Sequence, residues 1–304
     1  MTISAVIPTK NRPEDLLAAV RSLLAQSTRP DQLVIIDQSA QPAVRDTITS
    51  EAARAGVALT YVHDPSISGL VAAKASSLAR ASGELICFFE DDVVVEPDYL
   101  REMARGFVDR PGMLGCSGVI SNPPTESVVY RFVYRLFHRG VFADPRPDVY
   151  AAVGRGATDF VESNIINGGL SAWRREVFQT IRFDTVNGFH MMEDGEFSIR
   201  VSTHFAHALF INPKARLAHY PSPINRDGLL HRQRRKVLEY VLFYKKNRAA
   251  RFSGPLFFWL MFGVWLESLA QCVRLRSVVP LQGYIRGALE GGRRTIIRTE
   301  GPPC

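Results

Sequence analysis

The sequence predicts an α/β fold, a parallel sheet with helices on both faces. Three observations predict it. Short apolar runs alternate with segments of helical period through the first hundred residues. One of those runs, Leu85 to Phe89, stops abruptly at Glu90-Asp91-Asp92. After Pro221-Ser222-Pro223 the composition changes to basic and aromatic segments of helical character.

In chain order, Ile3 to Ile7 reads as a strand that ends at Pro8-Thr9-Lys10-Asn11-Arg12. Leu16, Leu17, Val20, Leu23 and Leu24 follow at helical spacing. Pro30-Asp31 punctuates, and Leu33 to Ile36 is a second buried strand ending at Asp37. A helix is expected over 42–55, a third strand over 59–62, a third helix over 69–80 and a fourth strand over 85–89. A helix over 100–108 and a strand near 114–120 follow. Between 121 and 162 the pattern is irregular, long for a connection in a compact domain, so this insert is expected to be functional or separately ordered. Regular signals return with an apolar run over 165–170, helices over 174–180 and 193–203, and a strand around 208–211. The expected organisation is a catalytic domain over 1–225, split into halves at 100, and an extension over 226–304.

The chain has 304 residues, 46% of them hydrophobic, and a net charge of +7. Cys87, Cys116, Cys272 and Cys304 are widely spaced, which argues against a disulfide framework or a zinc site and for a reducing cytosolic compartment. Met1 to Pro8 is strand-like, so a secretory signal is not expected. Basic residues dominate from Arg226 onward, which suggests an anionic partner such as phosphate groups or a membrane surface. No zinc-finger, aromatic sheet or helix-turn-helix pattern points to nucleic acid.

Three adjacent carboxylates at a strand end repel one another unless a positive charge sits among them. A hard divalent cation, Mg²⁺ or Mn²⁺, suits such oxygen ligands and bridges to phosphate. By strand alternation, Asp91 points away from Glu90 and Asp92. A solvated acidic turn is the competing reading of the triplet alone.

Several ordered segments over residues 1–225 together resemble the family 2 glycosyltransferases, which have the GT-A fold. These are Val6-Ile7-Pro8-Thr9-Lys10-Asn11-Arg12, Val34-Ile35-Ile36-Asp37-Gln38-Ser39, Gly69-Leu70-Val71-Ala72-Ala73-Lys74, Glu90-Asp91-Asp92 and Met192-Glu193-Asp194-Gly195-Glu196-Phe197. Two departures stand out: glutamate at the first position of the acidic triplet, and Gln38 where a second acid is common.

The resemblance implies a Rossmann-like, mostly parallel sheet and a metal-dependent, inverting transfer of sugar from a nucleoside-diphosphate-sugar to a hydroxyl. Glu90 and Asp92 would hold Mn²⁺ or Mg²⁺, with His219 completing the shell or touching a phosphate. Asp37 would accept a hydrogen bond from the nucleotide base, or else cap the next helix. Pro8, Thr9, Lys10 and Arg12 would line the donor, with Lys10 and Arg12 facing phosphates or acting as ordinary surface charges. Lys74 would reach the diphosphate, or lie on a solvated helix face. Asp91 would bind ribose or sugar, or make a structural hydrogen bond. Gly168 and Gly169 would let the backbone approach the donor sugar, or form a plain turn. Asp194 would be the general base, its pKa raised by Phe189, Met191 and Met192, with Glu193 on an acceptor hydroxyl and Glu196 in reserve.

The uncharged stretch 253–266 is short for a bilayer span, and Glu267, Gln271 and Arg274 make a polar stripe after it. An interfacial helix anchoring the enzyme at the cytoplasmic face of the plasma membrane is expected. A single spanning segment or a helix packed on the domain or a second subunit are the alternatives. Arg131, Arg135 and Arg139 share one face of a similar stretch within the insert, which would help admit a polyprenyl-linked or other glycan acceptor. Two rival functions are a sugar-phosphate nucleotidyltransferase, disfavoured because the loop after the first strand has no glycine, and a non-catalytic membrane scaffold.

Overall fold

The computed structural model describes residues 1–123, 127–224 and 227–297. Arg226, Cys304 and the expected boundary between 225 and 226 lie outside them. The first half runs β1 (Ile3–Thr9), α1 (Pro13–Leu24), β2 (Gln32–Asp37), α2 (Arg45–Ala55), β3 (Ala58–His63), α3 (Leu70–Leu78), β4 (Leu85–Phe89) and β5 (Val93–Val95). Next come α4 (Tyr99–Asp109), β6 (Gly115–Ile120), α5 (Val128–Phe137), α6 (Arg146–Val153), β7 (Val161–Glu162) and β8 (Leu170–Arg174). The chain continues with α7 (Val177–Thr180), α8 (Glu193–His204), β9 (Leu209–His219), α9 (Leu229–Lys246), α10 (Ser253–Leu275) and α11 (Val279–Arg293).

The described strands form one sheet in the order β3-β2-β1-β4-β8-β6-β9-β5, with β7 also on β9. Strands β1 to β4 are parallel, and period-two alternation sends their side chains to two cores. Ile3, Ala5, Ile7, Leu33, Ile35, Leu85, Cys87 and Phe89 pack with α1 and α4 on one face. Val6, Val34, Ile36, Ile86 and Phe88 pack with α3, α7 and α8 on the other.

The sheet departs from an all-parallel pattern at β8, which runs antiparallel to both β4 and β6. The apolar run over 165–170 is not itself a strand. Ile165 and Ile166 are buried loop residues, the strand starts at Leu170, and the expected helix over 174–180 shrinks to α7.

Helices α9, α10 and α11 form a layer against the sheet domain. Val237, Leu242, Phe257 and Leu260 share a core with Phe142, Ile165, Phe189 and Ile199. Gly283, Gly287 and Gly291 put α11 directly on α9: a Cβ on Gly287 would lie 2.3 Å from the Arg234 carbonyl oxygen. In the polar stripe of α10, Glu267 pairs with Lys236 of α9 at 2.6 Å and accepts from Gln271 of its own helix at 3.0 Å, while Arg274 is exposed.

His138, just after α5, stacks on Tyr134 at 3.7 Å and contacts the Tyr240 hydroxyl at 2.9 Å. Burial pushes its pKa down to about 4. Between that value and about 6.5 the unfolded chain binds the proton and the native one does not, so stability rises with pH. The contribution is complete above about pH 6.5 and is lost on acidification toward 4, at most about 3 kcal/mol. Urea unfolding at pH 7 and pH 4.5 should therefore show a smaller pH dependence in His138→Gln than in the wild type. Superposable pH dependences would refute this.

Candidate active site

Strand β4 ends at Phe89 and β5 begins at Val93, so the acids occupy the link between them. Register then sets what faces them. Val93 pairs with His219 across the β5–β9 ladder, and the Tyr220 N–H donates to the Asp92 carbonyl at 2.9 Å. His219 Nε2 therefore stands 3.3 Å from Glu90 Oε2 and 3.2 Å from Asp92 Oδ1. One ligand atom from each of the three lies within 4.8 Å of the others. Asp92 Oδ1 is buried and makes no hydrogen bond of good geometry, while Oδ2 accepts from the Ser222 N–H at 2.9 Å. Burial alone would raise the Asp92 carboxyl. The His219 ring, the Ser222 N–H and Arg12 outweigh it and hold the pKa below the usual carboxylate range. An ionised carboxylate whose buried oxygen meets the His219 ring, beside a second carboxylate, is a donor set that fits a divalent cation.

Asp91 and Asp92 sit in a turn after β4, so strand alternation does not set their directions, and Asp91 lines the same cleft as Glu90 and Asp92. It accepts from Thr9 Oγ1 at 2.7 Å and from Arg12 at 2.9 Å. Arg12 also reaches Asp92 Oδ2 at 3.5 Å and donates to the Ile224 carbonyl at 2.8 Å. Arg12 is thus held by the acids and by the segment after β9 while it lines the same cleft as Pro8, Thr9 and Lys10. Pro8, Thr9 and Lys10 line one open cleft with Glu90, Asp91 and Asp92, about 770 Å³ in volume.

Asp37 borders a smaller hollow of about 240 Å³ with Thr9, Arg12 and Ser39. Its Oδ1 accepts from the Ser39 N–H at 2.9 Å and its Oδ2 from the Tyr61 hydroxyl at 2.6 Å. Each oxygen keeps a further lone pair. Gln38 accepts from the Gly69 N–H, which ties the second strand to the start of α3.

Lys74, expected to reach a diphosphate, is turned into the protein. It is buried, donates to the Gly168 carbonyl at 2.9 Å and pairs with Glu193 at 2.7 Å. The reason is helical phase: Lys74 shares the inward face of α3 with Val71 and Ser77. That pair occupies Glu193 Oε1, so Glu193 is not open to an acceptor hydroxyl through that oxygen. The glycines serve the acids. A Cβ on Gly168 would lie 2.2 Å from Glu193 Oε1, and one on Gly169 would lie 2.4 Å from the Glu90 side chain. Their close approach is to the carboxylates of Glu193 and Glu90.

Asp194 opens α8 beside Glu193, where the helix dipole favours acids. Its partner is Arg146 from α6, which also pairs with Asp144 at 2.7 Å and donates to Asn167 Oδ1 at 2.6 Å. The apolar surroundings expected for Asp194 are replaced by this guanidinium. Glu196 is buried between Arg200 at 2.6 Å and Lys246 at 2.5 Å, which removes it as a reserve base. Sequence reasoning missed Arg146, which lies in the irregular insert without periodic context. It also missed that His231, Arg234 and Arg235 of α9 line the same cleft as the acids. The basic run 231–236 was the available signal.

The model of glycosyl transferase family 2 matches residues 4–182. The O-antigen biosynthesis protein RfbC of Myxococcus xanthus is 33% identical over 122 residues, covering 38% of this chain and only 9% of RfbC. EpsH of Bacillus subtilis (strain 168), provisionally assigned as a glycosyltransferase, is 22% identical over 250 residues, covering 82% of this chain and 68% of EpsH. Among solved structures, the mannosyltransferase PcManGT from Pyrobaculum calidifontis, in complex with GDP-Man and Mn²⁺, aligns with a TM-score of 0.57 at 16% identity. That alignment covers 97% of this chain and 76% of PcManGT, and it speaks for a shared GT-A fold. With more than half its length matched and its acids gathered at the edge of a mostly parallel sheet, the chain belongs to glycosyl transferase family 2 and is a glycosyltransferase.

Proposed function

We propose that the enzyme is a metal-dependent, inverting glycosyltransferase. It moves a sugar from a nucleoside-diphosphate-sugar to a hydroxyl of a glycan or polyprenyl-linked acceptor, in cell-surface polysaccharide or cell-wall glycan synthesis. The observation that carries the reading is the convergence of Glu90, Asp92 and His219 beside a cleft. These three would hold Mn²⁺ or Mg²⁺, which supplies Lewis-acid stabilisation of the departing diphosphate.

The remaining roles belong to the chain's own groups. Asp37 accepts from the base, and Pro8, Thr9 and Lys10 border the donor. Arg12 and Asp91 brace the acid link through their ion pair. Lys74 holds Glu193 and the Gly168 carbonyl, which fixes the start of α8. Asp194, oriented by Arg146, takes the proton of the acceptor hydroxyl as that oxygen bonds to the anomeric carbon. The bond from that carbon to the diphosphate oxygen breaks on the opposite face, and the nucleoside diphosphate leaves with the electron pair.

The test is a panel of nucleotide-sugars with the full chain, with and without Mn²⁺, read as thermal shift and donor hydrolysis. At least one donor should raise the Tm and turn over only with metal. No metal-dependent response to any donor would leave a scaffold. Release of pyrophosphate from a nucleoside triphosphate and a sugar phosphate would mark a nucleotidyltransferase.

The proposed division is a catalytic domain over 1–225 and an extension over 226–304 that meets the cytoplasmic face of a membrane. An apolar surface supports this. Helix α5 has no buried residue, and its Val128, Val129 and Phe132 are 66–72% exposed. It is joined to α10 by the Trp259 indole N–H donating to the Leu136 carbonyl at 2.7 Å. Phe258, Trp259, Phe262 and Trp265 are exposed on α10. By length and composition α10 could cross a bilayer, with 33% of its most apolar window buried against protein. Exposed faces of this size mark an interaction surface, and Arg135 and Arg139 beside it suit anionic lipid. The doubly substituted Phe132→Asp/Phe258→Asp protein should co-sediment with phosphatidylglycerol vesicles about tenfold less than the wild type. Equal sedimentation of both, or a concentration-dependent mass showing that a second copy covers the face, would overturn it.

A further inference from the structure

The cleft has a second charged wall that the acid trio does not use. His231, Arg234 and Arg235 stand at i, i+3 and i+4 of α9 and border the same open space as Glu90 and Asp92. Arg294, after α11, borders it as well. The rotation of α9 is fixed from behind. Gln233 donates to Ser268 Oγ at 2.8 Å, Lys236 pairs with Glu267, and Gly283 and Gly287 seat α11 on the helix backbone. The cationic face is therefore held toward the cleft.

The guanidiniums on that face are only lightly committed. Arg235 pairs with Asp227 at 3.0 Å, and the two side chains are 37% and 38% exposed. Arg234 meets Glu290 at 3.1 Å through Nε, which is buried and lacks a hydrogen bond of good geometry. A guanidinium has five N–H donors in a rigid fork suited to phosphate oxygens, so one carboxylate neighbour leaves most of that capacity unused. The wall lies in the N-terminal half of α9, the positive end of the helix dipole. On the transfer reading above, the donor's diphosphate is served by the trio at the β4–β5 link. The α9 wall instead belongs to the layer that carries the exposed aromatic face of α10.

We propose that His231, Arg234 and Arg235 form an anion subsite for a phosphate or diphosphate carried by the acceptor, so that the acceptor is a phosphorylated molecule. The word acceptor rests on the transfer reading above; the anion subsite does not. Asp227 is then a resident counter-ion that the acceptor's phosphate displaces.

The probe is inorganic pyrophosphate, titrated calorimetrically into the full-length protein in EDTA, where no metal can bridge it to the acids. Arg235→Gln should weaken binding about tenfold, the scale of one charge-assisted contact. Asp227→Asn, which releases Arg235, should strengthen it severalfold, a gain that misfolding does not imitate. Affinities equal to wild type in both variants, or no metal-free binding by the wild type, would overturn the subsite. Farnesyl diphosphate separates the sources. A tenfold or greater advantage over pyrophosphate assigns a lipid-linked acceptor, and parity assigns a soluble phosphorylated one. Mn²⁺-dependent donor hydrolysis, run alongside, reports on the transfer reading separately.

Discussion

Asp92→Asn should lower kcat/KM for sugar transfer by about three orders of magnitude, close to 4 kcal/mol of transition-state stabilisation. The substitution is nearly isosteric, so the Ser222 N–H keeps an oxygen to donate to and the β5–β9 ladder is untouched. What it removes is the negative charge beside Glu90 and His219, on a group whose pKa lies below the usual range and which is therefore ionised at neutral pH. Manganese affinity should fall about a hundredfold, because one of two anionic donors becomes a neutral amide. Steady-state kinetics over a manganese titration gives both values, and a thermal melt without metal controls for folding. Activity within threefold of wild type at saturating manganese would mean that the trio is not the metal site.

Asp194→Asn is the second large effect. Transfer should drop by about 10³-fold, within the usual range for loss of a general base, while the donor KM stays within about twofold. The split matters because Asp194 lies on α8, apart from the link that carries Glu90 and Asp92. The variant has a structural cost as well. Arg146 loses one of its two carboxylate partners, both side chains being under one-fifth exposed, and keeps Asp144. A loss of about 1–2 kcal/mol of stability is expected, less than for a guanidinium left with no partner. Transfer at near wild-type rate would sink the base assignment.

The parts legible in the sequence were those with strong local signals. The strands β1, β2 and β4 are largely apolar runs because each is covered on both faces, and each is ended or followed at once by a polar residue, Thr9, Asp37 or Glu90, that borders the cleft or the hollow beside it. The orientation of Asp91 was not legible: the chain turns at 91–92, and Arg12 reaches both Asp91 and Asp92. His219 was less legible. Nothing near it in sequence names its partner, and only the register of Val93 against it brings it to the acids.

The burial of Lys74 was not legible for a related reason. The expectation was contact with a diphosphate, or else a solvated helix face, and its burial depends on Glu193, which lies 119 residues away. Arg146 belongs to a segment with no periodic pattern, so its reach to Asp194 had no local trace. The antiparallel entry of β8 was hidden because Ile165 and Ile166 are as apolar as the strand that follows. The basic run of α9 was visible as charge, but its direction comes from the glycines of α11, whose reason for being small is the helix beneath them.

The acid trio draws on positions 90, 92 and 219, and its last member arrives only when β9 zips onto β5. A ribosome must therefore make about seven-tenths of the polypeptide before the trio can assemble, and any stalled fragment ending before that strand would lack its last member. Loop closure over so long a stretch is slow compared with forming the β1–β4 unit. Manganese uptake during refolding would thus act as a clock for completion of the sheet, lagging behind early helix formation.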